Sequence, residues 1–74
     1  MDEQKRAEQT LRKRLAKENR YYGDCCTPKV SEVESLGYDV DENVHTFAVT
    51  FERRLLPRLY DVRLYAKSAR IWRA

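Results

Sequence analysis

Two adjacent cysteines, Cys25 and Cys26, and one histidine, His45, are the only thiols and imidazole in the chain. A thiolate beside an imidazole is a nucleophilic pair, and cysteine with histidine is also a zinc-binding set. The pattern serves neither chemistry well. A zinc site needs about four ligands, and these three side chains lack a C-x-x-C spacing. A disulfide between sequence neighbours demands strained geometry. Both cysteines follow a helical stretch, where the negative end of the dipole raises a thiol pKa and blunts the nucleophile. Only Gly23 and Gly37 occur, too few for a phosphate-cradling loop. The acidic residues Glu32, Glu34, Asp39, Asp41 and Glu42 lack the order of a calcium loop. The expectation is therefore no catalysis, no metal and no cofactor, with the thiols reduced.

Basic and aromatic residues offer binding chemistry instead. Arg6, Lys13, Lys17 and Arg20 fall at spacings of 7, 4 and 3. On a helix they share an arc of roughly 60° and a row about 21 Å long. Such a ridge tracks phosphates or docks on an acidic protein. The competing reading is an ordinary solvated helix face. Near the C-terminus, Arg58, Tyr60, Arg63, Tyr65, Arg70, Trp72 and Arg73 interleave bases with rings. If two strands form there with Ile71 inward, Arg63, Tyr65, Arg70 and Trp72 share an outer face. Rings and guanidinium groups suit stacked bases, and the same residue types dominate protein-interface hot spots. The plainer alternative is that the rings finish a small core.

These side chains need elements to position them. Residues 3 to 20 are rich in Glu, Gln, Lys, Arg, Ala and Leu, and read as a helix. Ala7, Leu11, Leu15 and Tyr22 form its narrow apolar seam. Thr27-Pro28 resembles an N-cap followed by a first-turn proline, Val30, Val33 and Leu36 recur every third residue, and Gly37 stands as a stop. The spacing predicts a short second helix over 28–36. Tyr38 to Val40 reads as a short strand before the turn Asp41-Glu42-Asn43. Phe47, Val49 and Phe51 alternate with Thr46, Ala48 and Thr50, which marks 44–53 as a strand with one apolar face. Leu55-Leu56-Pro57 breaks it. Residues 59–66 and 69–73 read as two more strands, with a C-terminal helix as the alternative. Lys67-Ser68 makes a poor hairpin turn, because it lacks Gly or Asn.

The fold class expected is α+β over residues 1–74 as one domain: an N-terminal helix and a short second helix on an antiparallel sheet of three or four strands. Seventy-four residues bury only a modest core, so a partner or self-association is a fair default. So small a chain also has little bulk for a deep substrate pocket. No apolar run reaches the length of a membrane span, and the opening Met1-Asp2-Glu3-Gln4-Lys5-Arg6 does not read as a secretory signal. The location expected is cytoplasmic. Net charge is +3, but it is divided. Residues 5–20 carry +5, residues 29–42 carry −4, and residues 52–73 carry +5. The function expected is protein binding, as an adaptor, regulator or inhibitor of the kind found among viral and mobile-element accessory proteins. Its partner is a larger protein or another copy of the chain, with nucleic acid as the alternative. No membrane and no small-molecule substrate are expected.

Overall fold

The computed structural model describes residues 3–22, 29–52 and 54–74, with helix side chains described as far as Lys17. Helix α1 (Glu3–Tyr22) precedes strands β1 (Val30–Asp39), β2 (Val44–Phe51), β3 (Arg58–Leu64) and β4 (Ala69–Arg73). The strands make one antiparallel sheet in the order β1-β2-β3-β4. Each pairs with its sequence neighbour, the simplest topology a short chain can adopt. Among the described residues, no helix is long and apolar enough to cross a membrane.

α1 is built from good helix formers, with Glu3 in its first turn where the dipole favours an anion. Glu8 and Arg12 form an i,i+4 ion pair at 2.9 Å on its outer side. Its inward seam is Ala7, Leu11 and Leu15, all buried as the 3.6-residue period requires. This seam meets Phe47, Val49 and Phe51 of β2 and Tyr60, Val62 and Leu64 of β3. Leu11, Phe47, Val49 and Val62 are the largest fully buried side chains. Each contributes roughly 1.5–3 kcal/mol by leaving water. Val30, Val33, Ala69 and Ile71 close the flanks of the core.

The expected second helix over 28–36 does not form. From Val30 onward the segment is β1, which also absorbs the short strand expected at Tyr38 to Val40. Residues 27 and 28 lie outside the described residues. The reason lies in the register. β1 pairs with β2 through two irregularities, between Val30 and Glu32 and between Ser35 and Gly37. Each inserts one residue, so inward positions run Val30, Val33, Ser35, Tyr38 instead of strictly alternating. A bulge turns a spacing of two into three, and three is what helical periodicity looks like. Gly37 stops no helix. It sits at the second bulge with φ 139°, a conformation open chiefly to glycine.

The last two strands form as expected, and the C-terminal helix does not. Their turn succeeds without Gly or Asn because the helix supplies what the turn lacks. Tyr65 N–H donates to Ser68 O at 2.8 Å. The Arg6 guanidinium donates to Tyr65 O at 2.8 Å and Ala66 O at 3.4 Å. The β1–β2 turn is held locally. Asp39 Oδ1 accepts from Asp41 N–H and Glu42 N–H, and Asn43 takes the left-handed conformation at φ 56°. Asn43 Nδ2 then reaches Leu64 O at 3.0 Å and fastens this turn to β3.

Candidate functional site

Because α1 lies on one side of the sheet, side chains that alternate outward emerge on the other. Among the described residues no element covers that second face. β1 contributes Glu32 and Glu34, β2 Thr46, Ala48 and Thr50, β3 Leu59, Asp61 and Arg63, and β4 Arg70 and Trp72. Glutamates stand on one edge strand and arginines toward the other, roughly 14 Å apart at normal strand spacing. The face is therefore electrically divided.

Its basic half centres on Trp72. Arg63 and Arg70 are direct cross-strand partners, an arrangement that costs energy for like charges. The indole offsets the cost. Arg63 Cζ lies 5.4 Å and Arg70 Cζ 5.9 Å from the Trp72 ring. Each such contact contributes about 0.5–1 kcal/mol at an exposed site. Arg63 is further held by Glu42, donating through Nε to its carbonyl at 3.1 Å and lying 3.5 Å from its carboxylate. Asp61, beside Trp72 in the register, accepts a hydrogen bond from Thr46 Oγ1 at 2.8 Å.

The residues expected to bind are thus distributed unevenly. Arg63, Arg70 and Trp72 come together on one face. Tyr65 lies past the end of β3, half-exposed, with its backbone in the turn. The helical ridge is not a row of four unengaged cations. Arg6 is committed to the β3–β4 turn, Lys13 and Lys17 are exposed, and the Arg20 side chain lies outside the described residues. Cys25 and Cys26 also lie outside them, and with them any thiol–imidazole pairing.

His45 faces the helix side and is 4% exposed. Its ring stands 4.4 Å from Tyr38 and 6.5 Å from Phe47, and Nε2 has no hydrogen-bond partner among the described residues. Burial lowers its pKa from the usual 6.5, and the charge of Glu3 opposes that shift in part. This is a buried histidine packed against aromatic rings, and burial favours its neutral form. Among the described residues no group of three or more His, Cys, Asp or Glu side chains is placed to hold a metal ion.

A second feature escaped sequence reasoning. At the end of the sheet near the β2–β3 loop, a groove of about 300 Å³ is lined by Arg54, Leu56, Pro57, Arg58, Leu59, Arg73 and Ala74. Beside it Leu55 is 98% exposed and Leu56 79%, so neither leucine joins the core. In the sequence Leu55-Leu56-Pro57 is only a strand break. The available signal was two leucines flanked by arginines in a connection too short to fold back on the core.

No protein family matches the chain, and no curated protein or solved structure is significantly similar to it.

Proposed function

We propose that the chain is a small, non-enzymatic protein-binding module, an adaptor, regulator or inhibitor that docks on a larger protein through the open face of its sheet. The observation that carries this reading is Trp72 with the guanidinium groups of both Arg63 and Arg70 within 6 Å of its ring, on a face that no described element covers. Trp and Arg are the residues on which interface energy concentrates, and here the sheet pre-orders them. Leu59 extends the patch and remains 41% exposed. We place this role in the cytoplasm, where the thiols of Cys25 and Cys26 stay reduced.

Nucleic acid suits the face less well. A stacked base needs a free ring surface, and two guanidinium groups already attend Trp72. Asp61, Glu32 and Glu34 share the face and repel phosphate. The helix ridge is reduced by the engagement of Arg6.

The test begins with affinity capture of the partner from the source cells. The partner is then made recombinantly and titrated by calorimetry against wild type, Trp72→Ala and the double variant Arg63→Ala/Arg70→Ala. The expectation is a stoichiometric complex that Trp72→Ala weakens about 30-fold or more, as a hot-spot loss of about 2 kcal/mol requires. Circular dichroism checks that the variants remain folded. Undiminished binding by Trp72→Ala overturns the proposal. So does preferential binding of DNA or RNA with a log–log salt slope near −3 to −4, the mark of about four phosphate contacts.

A further inference from the structure

We propose that the arginine-lined groove at the β2–β3 end of the sheet receives an acidic segment of a protein partner, in which an aliphatic side chain is flanked by carboxylates. The inference rests on the protein-binding reading above and names the chemistry of what is bound.

Three arginines, Arg54, Arg58 and Arg73, line one groove from three parts of the chain. Arg54 belongs to the loop, Arg58 opens β3 and Arg73 ends β4. Among the described residues none of the three is paired with a carboxylate. Arg58 lies over the Phe51 ring, its Cζ 5.5 Å from the centroid, which fixes where its charge points. Like charges gathered this way repel one another, and a bound anion relieves that repulsion. Guanidinium forks match carboxylates in a bidentate manner.

The rest of the lining selects among anions. Leu56, Leu59 and Pro57 add a small apolar part to a mainly polar lining, and Leu55, next in sequence to Leu56, is exposed. A bare phosphate chain has nothing to place against leucine. A peptide has both halves, an aliphatic side chain for the leucines and neighbouring carboxylates for the arginines. At about 300 Å³ the groove is at the small end for ligand clefts, suited to one or two side chains and not to a whole helix. Charge complementarity and this mixed lining are what favour an acidic, aliphatic segment.

The test uses the full chain, labelled with ¹⁵N and ¹³C-methyl groups, and three synthetic peptides: Glu-Asp-Leu-Asp-Glu, Gln-Asn-Leu-Asn-Gln and Glu-Asp-Ser-Asp-Glu. The expected result is saturable shifts confined to residues 54–59 and 73–74 with the first peptide. Binding at least tenfold weaker is expected for each of the other two. Arg54→Glu/Arg73→Glu should abolish the shifts while the spectrum stays dispersed. Trp72→Ala should leave them unchanged, because Trp72 does not line the groove. Leu56→Ser, at an exposed site, should weaken the leucine peptide and not the serine one. No shifts at 54–59 with the first peptide, equal binding of all three, or tighter binding of single-stranded oligonucleotide at the same residues overturns the proposal. So does a concentration-dependent dimer by light scattering that the arginine reversals dissolve, since the occupant is then a second copy. Loss of peptide binding with an intact Trp72-dependent complex refutes the groove alone. Peptide binding without any Trp72-dependent partner refutes the docking face alone.

Discussion

Acidification should destabilise this protein through one side chain, His45. Its ring is buried against Tyr38 and Phe47, and its Nε2 has no partner, so a proton added there would be an unsolvated charge. The folded pKa is lowered, whereas the unfolded chain protonates near the ordinary 6.5. In the window below that value the unfolded state binds more protons. Stability is therefore fully present above about pH 6.5 and declines as pH falls. At pH 5.5 a single blocked imidazole removes at most about 1.4 kcal/mol, and the favourable charge of Glu3 reduces that ceiling. In a domain of this size each kcal/mol shifts the melting temperature by roughly 4–8 °C. Thermal unfolding followed by circular dichroism at pH 7.5 and pH 5.5 measures the loss. His45→Phe should remove most of the pH-dependent part, and Glu3→Gln should enlarge it. A wild-type melting temperature equal at the two pH values, or an equal drop in His45→Phe, would refute the reasoning.

Other expectations concern the scaffold. Leu11→Ala empties the centre of the helix–sheet contact, where the side chain is fully buried, and should cost about 3–5 kcal/mol in denaturant titrations, enough to unfold much of a small domain. Gly37→Ala meets no neighbouring atom within 4 Å, so its cost should come from φ 139° alone, about 1–3 kcal/mol by the same assay. If this variant is as stable as wild type, the bulge geometry at Gly37 is wrong. Arg6→Ala removes both side-chain bonds from α1 to the β3–β4 turn. It should raise amide exchange at Tyr65 at least several-fold while leaving β2 protected, because exchange reports local opening.

Much of the architecture is legible in local pattern. α1 announces itself by composition and by the Ala7, Leu11, Leu15 seam, all three of which are buried. β2 is readable from Phe47, Val49 and Phe51, which point together into the core. Alternation favours β3 and β4 over a C-terminal helix without excluding it, and Arg63, Arg70 and Trp72 fall on one face if Ile71 is inward. The candidate site was legible to that extent. The groove was not, because its arginines come from residues 54, 58 and 73, and nothing in a linear reading brings 73 beside 54. Arg6 was misread for a related reason. A cation on a helix face looks free until the fold carries two carbonyls of a distant turn to it.

Side-chain periodicity is a property of a few consecutive residues, so the amino-acid order alone marks the regular helix α1 and the strand β2, while over 59–73 it leaves a helix open that only the sheet excludes. It also settles which stretches carry charge. A bulged strand imitates helical spacing, and only pairing with β2 decides between them, since the inserted residues are defined by the partner strand. The same holds for every feature made by residues far apart in the chain: the fastening of the β3–β4 turn, the isolation of His45 and the convergence of three arginines on one groove. These depend on which surfaces meet, and that is decided by packing α1 against the sheet.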